Sequence, residues 1–231
     1  MSKLFVVATP IGNLEDITYR AVRILAEVDL IAAEDTRKTR ILLNKYSIST
    51  PMISYHKFNI NQRTKELMNL LREGKNIALV SDAGTPGVSD PGYEIIRESV
   101  NQNISVEVIP GACAAISGLV SSGLPTDKFV FVGFLPKKPG KKKKALGNLK
   151  IEQGTIIIYE SPYRVKKTLQ DIFDIMGNRK IAVCREMTKK FEEIIRGDVE
   201  EVIEKIKDRN LKGEVVVVVN GSNQAAQRES S

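Results

Sequence analysis

The chain has 231 residues, 42% of them hydrophobic and 27% charged, which suits one large or two small packed domains and excludes a disordered chain. Its formal net charge is +7, but the segment Lys137–Lys144 alone contributes +6 and leaves +1 for all the rest. No apolar run approaches the ~20 residues of a membrane-spanning helix, and Cys113, Cys184 and the single histidine His56 have no metal-ligand spacing, so no metal is expected. The opening MSKLFVVATP reads as a first strand ended by Pro10, since a signal peptide needs a longer apolar core and a cleavage site. A cytoplasmic, disulfide-free protein is expected.

In chain order, Leu4–Ala8 reads as a strand and Thr18–Glu27 as a helix with Ala21, Val22, Leu25 and Ala26 on one face. Leu30–Ala33 is a second apolar run. Residues 61–73 form a helix capped by Asn61, striped by Leu67, Leu70 and Leu71, and ended by Gly74. A strand Ile77–Val80, a glycine-rich loop, a helix near Tyr93–Ser99 and a strand Val106–Ile109 follow. The turn formers of Ser121–Asp127 mark a boundary. Beyond it come strands at Phe129–Val132, Thr155–Tyr159 and Lys180–Arg185, with Glu192–Arg196 pairing back through a Met187–Lys190 turn. Asp198 and Glu201 have capping-box spacing ahead of a helix bearing Val199, Val202, Ile203 and Ile206. Glu214–Val219 is the last strand. The alternation predicts an α/β protein of two domains, residues 1–120 and 128–221, joined by a linker at 121–127 and followed by a polar tail at 222–231.

Four loops follow predicted strands, where open α/β sheets collect ligands. They are Thr9–Asn13, Ser81–Gly92, Pro110–Ala115 and Glu160–Arg164. The second holds three glycines and two prolines in twelve residues, a backbone that is stiff yet approachable by a ligand. It matches neither the dinucleotide G-x-G-x-x-G nor the P-loop pattern. With no G-x-S-x-G elbow and one loop histidine, Ser-His-Asp hydrolysis is not supported either. Charged clusters at three strand ends, Glu34–Arg37, Glu160 and Arg185-Glu186, point to a polar cleft.

Together these segments resemble the tetrapyrrole methylase superfamily, and within it the ribosomal RNA small subunit methyltransferase I group. The resemblance runs through Val7–Leu14, Ala33-Glu34-Asp35-Thr36-Arg37, Leu79–Gly87 with Ser89–Gly92, Ile109–Ala112, Tyr159–Arg164, Arg185–Lys189 and Lys212–Glu214, in the family's order over nearly the whole chain. The S-D-A-G-T-P loop combined with A-E-D-T-R separates the group from relatives that methylate corrinoid and porphyrin rings. Phe191 stands where many members have His. The resemblance implies the two-domain, class III S-adenosylmethionine methyltransferase fold, with a mainly parallel N-terminal sheet and a mixed C-terminal sheet. It also implies a homodimer, S-adenosylmethionine as cofactor in a cleft between domains, and 2′-O-methylation of a cytidine ribose in the decoding region of 16S ribosomal RNA. Carried over by motif, the cofactor-binding residues are Pro10, Ile11, Asp82, Gly84, Thr85, Pro86, Val88, Cys113, Ala114, Tyr159 and Gly213.

Methyl transfer from a sulfonium to a ribose hydroxyl needs alignment and one proton acceptor, and no metal. The candidates are Glu34, Asp35, Glu160, Glu186 and Lys189, with Asp35 and Glu186 taken as nearest the reaction. Arg37, Arg164, Arg185 and Lys189 are expected to hold phosphates, and Lys137, Lys138, Lys141, Lys142, Lys143 and Lys144 to form a phosphate clamp. Two other readings stay open. A small-molecule tetrapyrrole methylase on the same fold would carry a G-D-P loop. A non-catalytic RNA-binding module would give no heat with S-adenosylmethionine.

Overall fold

A computed structural model describes residues 2–222. Except for Ser222, the expected polar tail lies outside them. The chain divides into two compact units, Met1–Cys113 and Ala114–Ser231.

The first unit is a five-stranded sheet in the order β3-β2-β4-β1-β5. Its strands are β1 (Lys3–Val7), β2 (Leu30–Ala33), β3 (Met52–Ser54), β4 (Ile77–Val80) and β5 (Ser105–Ile109). Every pairing is parallel. The helices are α1 (Tyr19–Glu27), α2 (Thr36–Lys45), α3 (Ile60–Arg72) and α4 (Tyr93–Asn101). Two core clusters form. Val7, Leu25, Ile31 and Val80 belong to one, and Leu4, Leu67, Leu71 and Ile77 to the other. Central strands buried on both faces need unbroken apolar runs, and Ile77–Val80 supplies one. Local chemistry fixes the helix ends. The Thr18 hydroxyl accepts from Ala21 N at 3.1 Å and starts α1. Gly74, at φ +92°, ends α3. That helix begins after Asn59, two residues earlier than the expected Asn61 cap.

The second unit holds a mixed sheet in the order β6-β7-β10-β8-β9. Its strands are β6 (Phe129–Phe134), β7 (Thr155–Glu160), β8 (Lys180–Arg185), β9 (Glu193–Asp198) and β10 (Val215–Val219). Strands β6 and β7 run parallel, and β10 lies antiparallel between β7 and β8. All five valines of β10 are buried. The helices are α5 (Ala114–Ser122), α6 (Pro139–Leu149), α7 (Val165–Met176) and α8 (Val199–Ile206). Glu201 accepts from Asp198 N at 3.2 Å, the back-reaching bond expected at the start of α8.

The change of unit falls at Cys113/Ala114 rather than in the turn-rich stretch 121–127. The reason is α5. Its buried face, Ala115, Gly118, Leu119 and Ser122, packs on the second sheet. Gly118 allows the close approach, because a Cβ there would lie 2.9 Å from Val216 Cγ1. The 121–127 stretch is then a turn inside the second unit, held where Thr155 Oγ1 donates to Pro125 O at 2.6 Å.

Candidate active site

All strands of the first sheet point the same way, so the loops after them share one edge. Thr9 of the β1 loop and Gly84 of the β4 loop exchange both backbone hydrogen bonds at 2.9 Å. Thr9 Oγ1 donates to Ser81 O and Ser81 Oγ to Gly84 O, so the two loops are pinned together. Gly84 has φ +85°, and a Cβ there would sit 3.5 Å from Ile11 Cγ2 and 3.7 Å from Ala112 O. At this point the β1, β4 and β5 loops come together, with Ile11 and Ala112 beside Gly84, and the three loops form the candidate cradle. The expected cofactor residues Pro10, Ile11, Gly84 and Pro86 are buried in it, Asp82 and Thr85 are half-buried, and Val88 is at its exposed rim. Cys113, a free thiol, and Ala114 close the β5 loop and are half-buried.

The β2 loop is joined to this cradle. Asp82 N donates to Glu34 Oε2 at 3.2 Å, and Asp82 Oδ1 accepts from Asp35 N at 3.0 Å. Lys38 Nζ holds Asp82 Oδ2 at 2.7 Å. Burial pushes the Glu34 carboxyl above its ordinary range. The nearby Asp82 charge adds to this, and the Asp82 N–H works against it. Asp35 differs. The Arg37 side chain grips it at 3.0 and 2.7 Å while it caps α2 through Arg37 N at 2.9 Å. These bonds, the Arg37 side chain first, hold its carboxyl far below the usual range. Asp35, expected near the reaction, caps α2 and pairs with the exposed Arg37.

In the second unit, β6, β7 and β8 end at the edge where β10 begins, as the Val215 pairings with Glu160 and Arg185 show. Glu186 and Thr188 adopt φ +50° and +62° there, uncommon for residues with side chains. Glu186 Oε1 accepts from Lys189 Nζ at 3.1 Å and Glu214 N at 3.0 Å. Burial opposes its ionisation, but these two donors outweigh burial and lower its pKa. Burial likewise works against the Lys189 ammonium, but bonds to Glu214 and Glu186 raise its pKa. The expected base Glu186 and the candidate Lys189 thus neutralise each other. Gly213, at φ +87°, is required beside them, since a Cβ would collide with the Glu186 carboxylate. The Tyr159 hydroxyl accepts from Ala115 N at 3.1 Å, and its ring packs edge-on against Phe131 and Phe134.

Several expected phosphate ligands are committed elsewhere. Arg185 donates to Glu193 Oε2 at 3.3 and 3.2 Å and to Lys212 O at 3.2 Å. Arg164 donates to Leu135 O and Pro136 O at 3.1 and 3.2 Å and lies 3.5 Å from Glu160 Oε1, fastening the loop before α6. The lysine segment enters α6 at Pro139, with Lys137 and Lys138 before the helix, and Lys142 is not part of any clamp. It is 5% exposed, with Nζ 2.5 Å from Asp171 Oδ2 and 3.3 Å from Thr168 Oγ1. Thr168 Oγ1 in turn donates to Glu160 Oε2 at 2.7 Å, so Glu160 is a buried structural carboxylate. Lys142 lies on the inner stripe of α6 with Ala145, Leu146 and Leu149. That i, i+3, i+4, i+7 spacing is present in the sequence, masked by the run of identical lysines around it. Lys137, Lys138, Lys141, Lys143 and Lys144 are exposed. Among the described residues no helix is long and apolar enough to cross a membrane, and no group of three His, Cys, Asp or Glu is placed to hold a metal.

Residues 3–203 match the model of the Tetrapyrrole (Corrin/Porphyrin) Methylases. The chain is 49% identical over 226 residues to the ribosomal RNA small subunit methyltransferase I of Halalkalibacterium halodurans, covering 98% of this chain and 78% of that one. It is 49% identical over 222 residues to the protein of that name from Thermotoga maritima, covering 96% and 99%. Among solved structures, the methyltransferase CobJ superposes with a TM-score of 0.72 at 17% identity, covering 96% and 95%. The uroporphyrin-III C-methyl transferase of Thermus thermophilus, complexed with S-adenyl homocysteine, gives 0.68 at 18%, covering 95% and 97%. With the family model matching residues 3–203 and relatives 49% identical over 96–98% of this chain, the chain belongs to the tetrapyrrole methylase family.

Proposed function

We propose that this protein is an S-adenosylmethionine-dependent methyltransferase that modifies the 2′ oxygen of a cytidine ribose in small-subunit ribosomal RNA. The observation that carries it is the half-identity over almost the whole chain to proteins named for that RNA. The meeting of the β1 and β4 loops at Gly84 supports it, because their backbones are pinned to each other and the glycine brings backbone polar groups close. When bound, S-adenosylmethionine supplies a methyl group already activated by a positive sulfur. The residues of the β1, β4 and β5 loops, Pro10, Ile11, Asp82, Gly84, Thr85, Pro86, Val88, Cys113 and Ala114, hold and orient it.

The chain's remaining task is to align the ribose oxygen and remove its proton. Glu34 is the carboxylate suited to this. Its Oε2 faces the β4 loop at Asp82, and its raised pKa keeps it a stronger base than Asp35 or Glu186. The exposed lysines of α6 supply phosphate contacts that give affinity without sequence information. The test is methylation of small ribosomal subunits from cells lacking the protein. Resistance of one ribose to alkaline cleavage should appear only with protein and S-adenosylmethionine together. Its absence would refute the assignment.

A further inference from the structure

The loop after β3 carries Tyr55-His56-Lys57-Phe58-Asn59, and the fold leaves the Phe58 ring 85% exposed. The position is held firmly. Asn59 Oδ1 accepts from His56 N at 2.9 Å, its Nδ2 donates to Ser54 O and Oγ at 3.2 and 3.1 Å, and its own N–H donates to His56 O at 2.9 Å. The turn thus holds the backbone that presents an aromatic side chain to water, where its burial energy is forgone. Lys57 Nζ lies 4.8 Å from the ring centroid, and the His56 ring meets it edge-on at 6.0 Å.

The loop's place in the sheet gives it meaning. Tyr55 N donates to Ala33 O at 2.7 Å, so the loop leaves the edge beside Glu34. In the order β3-β2-β4 it stands one strand from Glu34 and two from Asp82, on the order of 10 Å at the usual strand spacing. The neighbouring α2 carries Arg40 and Lys45, while its Arg37 and Lys38 pair with Asp35 and Asp82. An exposed ring on an ordered turn, a cation over it and the cations of α2 alongside are the parts from which proteins grip single-stranded nucleic acid. We propose that Phe58 is a stacking platform for an unpaired base of the RNA next to the methylated nucleotide, with Lys57 and Arg40 contacting the adjoining phosphates. The platform is a specificity element, since it positions the strand and takes no part in the chemistry.

Because it rests on the RNA methylation proposed above, the test separates the two. Wild-type protein is first assayed for methyl transfer to small ribosomal subunits and, without S-adenosylmethionine, for cosedimentation with them. Failure of both removes the RNA reading and the platform with it. Given wild-type binding, Phe58→Ala should weaken cosedimentation by about 5- to 150-fold, the range of one base–aromatic stack. Phe58→Trp should stay near wild type, Phe58→Leu should fall with Phe58→Ala, and Lys57→Gln with Arg40→Gln should flatten the salt dependence. Calorimetric binding of S-adenosylmethionine should be unchanged throughout, which reports an intact fold. Wild-type binding by Phe58→Ala would overturn the platform. Wild-type binding by Phe58→Leu alone would also overturn it, assigning the site to apolar contact with a protein.

Discussion

Lys142 and Asp171 form an ion pair at 2.5 Å with both side chains almost wholly buried, one from the lysine-rich α6 and one from α7. Removing one partner leaves the other as an uncompensated buried charge, which typically costs about 3–5 kcal/mol. Lys142→Ala is therefore expected to lower the urea-unfolding free energy by that order. Lys142→Met with Asp171→Leu, which removes both charges and keeps volume, should recover most of it. Equal destabilisation in the single and double variants would show that the pair carries no such penalty.

The five exposed lysines of the segment 137–144, three in α6 and two just before it, should behave differently. Changing Lys137, Lys138, Lys141, Lys143 and Lys144 to Gln is expected to leave the unfolding free energy nearly unchanged, since surface charges contribute little to stability. The slope of log affinity for single-stranded RNA against log salt should become shallower by about 0.7 for each phosphate that a lysine no longer neutralises. An unaltered slope would place the RNA-binding surface elsewhere.

Glu34 must be ionised to accept a proton, and burial raises its pKa. The rate kcat/KM should therefore rise with pH through a limb above the ordinary glutamate range. Glu34→Gln should remove that limb and cost about 10²- to 10⁴-fold, the usual contribution of a general base. The stability effect has the opposite sign. Because the folded pKa lies above the unfolded one, ionised Glu34 opposes folding at neutral pH, and the penalty fades as pH falls through the folded value. Glu34→Gln should then melt higher than wild type at pH 7 and converge with it in acid. A variant of full activity would exclude Glu34.

Gly84→Ala tests the cradle. The φ of +85° is strained for alanine, a cost of about 1–2 kcal/mol. Its methyl group would also enter the space between Ile11 and Ala112. A modest drop in melting temperature with a much larger loss of S-adenosylmethionine affinity by calorimetry is the expected pattern. Unchanged affinity would move the cofactor away from this loop.

Much of the fold is legible in the residues themselves. Val215–Val219 reads as a strand buried on both faces, Thr18 and Gly74 punctuate helices, and Asp198 with Glu201 opens α8. Periodicity and capping are local, so a single sequence carries them. The glycine–proline loop and the acidic Glu34-Asp35 pair are local in the same way, and together with the other motifs they indicated the family. Long-range pairing settled the rest. The sequence has Asp35 and Glu186 as plausible bases, but Arg37 and the α2 amide claim one, and Lys189 with the Glu214 amide claims the other. It has six equivalent lysines at 137–144, until α7 brings Asp171 and Thr168 against one of them. It has a turn-rich boundary at 121–127, until Gly118 lets α5 pack on β10. Charge and residue type were fixed by the chain alone. Which charges are spent on structure and which remain for ligands depends on what lies within ~4 Å in space, and tertiary structure decides that.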